Sequence, residues 1–354
     1  MMNHEFLNRL LNTVSVSGLE EANQTNIISY AETFADQIMT DETGNVISVV
    51  NPDADCRVLL CGHIDEIGFR VTNIRDDGFI QVQKTGGVRA GLYVGAAMQI
   101  MHETEEDGKT IRQKVNAVGV VTDDLLKNSE VKDKDLLLDI GAESKEEAMK
   151  YVSVGDAVCA DTKVRKLLGG NISCRALDDK AGAYVVVEAA KRAKEKGAVC
   201  GIYANTAVGE ETTCRGSYHA GVRVKPDCAV IVDVTWASDC PGTDPGETGK
   251  IGLGKGPVLC LSGIVNKKMN RLLAETAKET GIAVQYEVAG GSTYTDGDTI
   301  LMSGSGVPVA LVSIPERYMH SSAEVVNEKD LDDCVELISE FLMRINKDFD
   351  YKPF

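Results

Sequence analysis

The sequence predicts an α/β protein, a mixed and mostly parallel sheet sandwiched by helices, interrupted by a β-rich segment. Three observations lead there. From Asp178 onward, stretches of helical period alternate with short apolar runs. The closing segment 331–345 carries Leu331, Val335, Leu337, Ile338, Phe341, Leu342 and Ile345 on or near one helical face. Between about 70 and 165 the texture changes to short β-like runs separated by glycines and charge clusters. At 354 residues the chain exceeds the common single-domain size. The expected division is 1–69 with 166–354 for the α/β unit and 70–165 for an insert.

Each element has its own signal. Residues 3–14 and 18–36 are helical in period, and Ser17 with Glu20 has the spacing of a capping box. Residues 45–50 and 57–61 read as strands. Within the β-rich segment, runs fall at 79–83, 96–101, 110–115 and 117–121. Then come a helix at 180–196, a strand at 198–205, a helix at 212–220 and a strand at 229–234. A helix at 265–281 and strands at 284–288 and 307–314 complete the alternation. Such alternation puts helices on both faces of the sheet, and ligands then bind beyond the carboxyl ends of the strands.

Composition excludes several function classes. A net charge of −17 leaves no basic surface to neutralise phosphates, so no nucleic-acid partner is expected. It equally disfavours an anionic membrane, and no apolar run approaches the ~18 residues a span needs. None of the 10 cysteines forms a CxxC pair; Cys61, Cys200, Cys228 and Cys260 sit in apolar runs as small hydrophobes. With no signal peptide, a reducing cytoplasm is the expected compartment.

The strand ends carry the chemistry. The run Val58-Leu59-Leu60 leads into Cys61-Gly62-His63-Ile64-Asp65-Glu66. A histidine and two acids are costly to bury unless they are paired or bind a cation. His63 and Asp65, at i and i+2 of an extended chain, face the same way, so Asp65 is a candidate to orient His63 as a ligand. Glu66 defaults to a solvated or supporting side chain. Asp178 and Asp179 stand at the start of a helix, where capping is the common role of Asp and ligation the alternative. Glu210 and Glu211 are either acids of a first helical turn, or one ligates a metal while the other accepts a proton from water. Asp233 ends the run Ala229–Val232 as a loop cap or a ligand. His320 follows the strand at 307–314 and is one of 5 histidines. Together these imidazoles and carboxylates suit Zn²⁺, Co²⁺ or Mn²⁺ in an open, water-binding site. Structural zinc would want a cysteine spacing that is absent.

These residues resemble the glutamyl aminopeptidase, or tetrahedral aminopeptidase, family of dinuclear metallopeptidases. The motifs are GHIDEIGF at 62–69, ALDDKAG at 176–182, GEE at 209–211, the Asp of IVDVT at 231–235 and RYMHSSAEVV at 317–326. They occur in the family's order and cover nearly the whole chain. The resemblance implies that His63 and Asp233 bind one metal and Glu211 and His320 the other. Asp178 would bridge the two, with Asp179 following across a strained peptide bond. Glu210 would be the general base and Asp65 the group orienting His63. It further implies two divalent ions per subunit, Zn²⁺ or Co²⁺ with Mn²⁺ as the alternative, and peptides with a free N-terminus as substrates. A β-barrel-like or PDZ-like insert and a homo-oligomer, often a dodecamer, belong to the same expectation. One departure is local: after 119–121 the chain has Thr122-Asp123-Asp124-Leu125-Leu126 where the family usually carries a Gly-x-Lys-Pro-Pro-His-like run. The segment 290–298 keeps the family's Thr-Asp element in altered form and is a candidate for lining the substrate site.

The same residues leave three alternatives. They are a related metallohydrolase (a deacylase or carboxypeptidase), a metal-free glycosidase built on a carboxylate pair, and a non-catalytic scaffold derived from the enzyme.

Overall fold

Four near-continuous apolar runs, Gly201–Ala207, Arg57–His63, Cys228–Trp236 and Val309–Glu316, can only be satisfied by burial on both faces. In a computed structural model, which describes residues 2–122, 131–352 and 354, they lie side by side in that order. They run parallel at the centre of an eight-stranded sheet. Val46–Val50 and then Gln37–Thr40 extend the sheet antiparallel on one side, and Val258–Ser262 and Gln285–Ala289 on the other. The sheet is thus mixed and mostly parallel, as the alternating pattern predicts.

Helices cover both faces. His4–Asn12, Leu177–Lys196, Lys267–Thr280 and Glu328–Leu342 bury Leu10, Tyr184, Leu273, Leu337 and Phe341 against one face. On the other, Arg215–Val224 buries Ala220 and Val224 against Leu59, Ala229 and Ile231. The Leu177–Lys196 helix lies unusually close to the sheet. A Cβ on Gly62 would sit 2.6 Å from the backbone carbon of Gly182, so only glycine fits at that crossing.

Between these elements a six-stranded barrel closes in the order Gly68–Ile74, Ile80–Thr85, Leu137–Asp139, Lys109–Val120, Ala97–Glu106, Ala157–Ala160. It has its own core, with Phe69, Val71, Ile80, Met98, Ile100, Leu138 and Val158 buried together. The Phe69 and Tyr93 rings meet edge to face at 5.2 Å. The runs at 110–115 and 117–121 are one continuous strand, paired with Ala97–Glu106 across the turn Asp107-Gly108. Both turn residues take positive φ, 51° and 71°, as a tight hairpin requires. A three-stranded sheet of Arg165–Lys166, Asn171–Cys174 and Glu324–Asn327 lies where the chain re-enters the α/β unit.

Some expectations fail locally. The second helix is Glu21–Ala31, not 18–36, because Asp36 already donates its backbone N–H to Val49 and draws the chain onto the sheet edge. Ser17 and Glu20 form no capping box: the Ser17 hydroxyl meets that of Thr212, and the Glu20 carboxylate takes the Gly18 N–H. The sequence reading did not pick out the strands Gln37–Thr40, Val258–Ser262 and Glu324–Asn327. Residues 123–126 of the departing loop lie outside the described residues. Among the described residues, no helix is long and apolar enough to cross a membrane.

Candidate metal centre

The carboxyl ends of the four central strands point their polar residues at one place. His63 ends its strand, Asp233 lies near the end of the next, and Glu210 and Glu211 begin the short helix that follows Gly201–Ala207. His320 lies in the loop beyond Val309–Glu316. Asp178 enters from the start of the Leu177–Lys196 helix. These side chains line a single cavity of about 850 Å³.

Two groups of ligand-type side chains result: His63 with Asp178 and Asp233, and Asp178 with Glu211 and His320. Within each, the ligand-type atoms all lie within 4.8 Å of one another. Asp178 belongs to both. Its Oδ1 is 3.2 Å from His63 Nε2, and its Oδ2 is 3.1 Å from His320 Nε2. The capping and ligation readings of the two adjacent aspartates divide between them. Asp179 accepts the backbone N–H groups of Gly182 and His63, at 2.9 and 3.1 Å, and so does the capping. Asp178 is left to face the imidazoles. The peptide bond between the two is cis.

The donor set fits divalent cations. Glu211 Oε1 is buried and has no hydrogen-bond partner, which is costly for a carboxylate oxygen without a cation. Burial, reinforced by Asp178 and Asp179 respectively, pushes the Glu211 and Asp233 carboxyls well above the usual range. Burial pushes Glu210 up to about 8, with Asp296, Asp178 and Asp65 adding to it against the pull of His63. Asp178 goes the other way: despite burial, His320 and His63 hold it well below the ordinary value. Packing this much negative charge out of water is the electrostatic signature of a site built to receive positive charge. The ligands are oxygen and nitrogen, with no thiolate among them, which suits Zn²⁺, Co²⁺ or Mn²⁺.

The chain matches the model of the M42 glutamyl aminopeptidase family over residues 44–337. It belongs to this family. It is 33% identical over 343 residues to a putative aminopeptidase of Acetivibrio thermocellus, covering 95% of this chain and 97% of that protein. It is 29% identical to a lysyl aminopeptidase of Pyrococcus furiosus over the full length of both. Among solved structures it resembles the Pyrococcus horikoshii TET1 peptidase, which can assemble into a tetrahedron or a large octahedral shell. That match has a TM-score of 0.84 and 29% identity, and covers 96% of this chain and 99% of the other. The molecule is therefore a peptide hydrolase of the aminopeptidase type.

Asp65, singled out by the sequence, shapes this M42 site together with residues such as Glu324 and Gly87 that it did not mark. The Asp65 carboxylate accepts the backbone N–H groups of Glu210 and Glu211, at 3.0 and 3.3 Å, so it fixes the glutamate turn. It also approaches His63 Nδ1 at 3.5 Å, while its backbone carbonyl lies at 3.1 Å from the same nitrogen. Glu324, inside the quoted 317–326 motif, accepts the N–H groups of Leu177, Asp178 and His320 at 2.8, 3.3 and 3.1 Å. It holds His320 in the left-handed region, φ 62°, a conformation that a non-glycine residue keeps only when braced. Gly87 comes from the barrel and approaches His320 so closely that a Cβ there would lie 2.4 Å from its Nδ1. Glu66 is not solvated: it is 2% exposed and pairs with buried Arg175 and Lys180, its Oε1 lying 2.7 Å from Lys180 Nζ. Its Oε1 also accepts the Ser15 backbone N–H at 2.8 Å.

Proposed function

We propose that this peptidase is a two-metal aminopeptidase in which Glu210 is the general base and Asp65 orients His63. His63 and Asp233 would hold one divalent cation, Glu211 and His320 the other, and Asp178 both. When bound, the two cations acidify a water and polarise the scissile carbonyl. Glu210 takes the proton of the attacking water and returns it to the leaving amine nitrogen. Asp65 keeps Glu210 and Glu211 in separate roles by fixing their backbone from behind. The surplus of carboxylates favours a substrate that brings a free α-ammonium group.

The observation that carries this proposal is Asp178, with one carboxylate oxygen against each of two imidazoles and membership of both ligand groups. We take residues 1–69 and 166–354 as the catalytic unit and 70–165 as its insert. We further propose that copies of the chain assemble into a large homo-oligomer, the behaviour stated for the TET1 relative. The test is hydrolysis of aminoacyl-anilides by protein treated with a chelator and then given Zn²⁺, Co²⁺ or Mn²⁺. Activity should vanish on chelation and return with one of these ions. Activity that survives the chelator contradicts the proposal.

A further inference from the structure

The cavity extends from the metal-ligand groups across the same face of the sheet. Asp233 and Thr235 are two residues apart on one strand, hence on one face and about 7 Å apart. Ser313 is the register neighbour of Asp233 on the adjacent parallel strand. Beyond them, on Gln285–Ala289, stands Glu287. Its carboxylate accepts hydrogen bonds from Ser313 Oγ at 2.7 Å and from Thr235 Oγ1. Glu287 is 8% exposed, and what remains of its surface lines the cavity that also holds His63, Asp178 and Glu210. Among the described residues its carboxylate makes no ion pair, and its hydrogen bonds come from these two hydroxyls.

A largely buried carboxylate without a cationic partner on the wall of this cavity is placed to receive a cation, and we infer that Glu287 selects substrates whose N-terminal residue carries a long cationic side chain, lysine or arginine. This inference rests on the aminopeptidase proposal and deepens it. The hydroxyls of Thr235 and Ser313 spend their protons on Glu287. They fix its orientation and leave its remaining lone pairs for an ammonium or guanidinium group. The same hydroxyls are then not free to greet an incoming carboxylate, which would meet like charge in a poorly hydrated space. Cys260 and Leu311 line the same cavity and add apolar surface suited to the methylene stem of such a side chain. The pocket therefore departs from an acidic preference, although the family is described as glutamyl aminopeptidases.

Binding tests this without relying on turnover. Calorimetry on metal-supplemented Glu210→Gln protein should give lysinamide an affinity at least about tenfold above leucinamide, with glutamic acid α-amide weakest. Adding Glu287→Gln should collapse the lysinamide advantage. Equal affinities, or leucinamide or the glutamyl amide bound tightest, overturn the inference. Hydrolysis of these amides by Glu210→Gln protein would instead count against the base assignment, leaving the affinity ranking to decide on Glu287. The wild-type ratio of kcat/KM for lysyl over leucyl anilide should likewise exceed about ten and fall with Glu287→Gln.

Discussion

A single carboxylate does most to define the centre. Asp178 reaches both imidazoles, so Asp178→Ala should leave neither group complete. Metal analysis of the purified variant should find both ions lost, and a fully loaded protein would contradict the shared role. Gly87→Ala makes a narrower prediction. A methyl group there collides with His320, so the variant should lose the Glu211–His320 ion while keeping the other, and the metal count should fall from two towards one. Glu66→Ala acts on stability. It strands Arg175 and Lys180 in the interior without their partner, which should cost about 3–5 kcal/mol in denaturant unfolding. The pH dependence has a defined sign. Burial raises the Glu66 carboxyl, but Arg175 and Lys180 prevail and hold it below the ordinary glutamate value. Its contribution is therefore complete above the ordinary glutamate value and lost as pH falls through the lower folded one. The stability gap between wild type and Glu66→Ala should stay constant near neutrality and shrink only in acid.

Elements that bury a continuous apolar run were plain in the sequence, because period and composition alone decide them. The four central strands and the Leu177–Lys196 and Glu328–Leu342 helices are of this kind. What stayed hidden depended on partners far along the chain. Val258–Ser262 is a strand because Val309–Glu316 and Gln285–Ala289 pair with it, and its short run between glycine-rich turns gives no clear period. The seven side chains named as catalytic or ligating residues do meet in one place, since strand ends and their order are local features. Glu324, Gly87 and Glu287 were not marked as functional because their contacts are to other elements. Glu324 had a weak signal, an acid four residues after His320 in the same motif. Gly87 had another, a glycine pair just past a strand. Glu324→Gln tests the element that carries His320: it keeps the shape but weakens the acceptor for three backbone N–H groups. Affinity for the second ion should drop about 10–100-fold in a competitive chelator titration, as with other supports of metal ligands.

At the scale of the molecule, an α/β sheet supplies the ligand-type side chains, and the barrel that begins with Gly68–Ile74 returns Gly87 to their rim. Cations should stabilise the folded state as a whole, because the neighbouring carboxylates repel one another when no cation is present. Ions at a hundred times their dissociation constant would add about 2.7 kcal/mol per site, visible as a fall in melting temperature on chelation. If the chain assembles as proposed, its mass in solution by light scattering should be a large multiple of the protomer. Peptide hydrolysis by paired cations with Glu210 moving the proton stands or falls on kcat of the Glu210→Gln protein on an aminoacyl-anilide at full metal occupancy. Metal content should be unchanged and turnover lower by about 10²–10⁴; near-normal turnover in that protein would contradict the role of Glu210 as base.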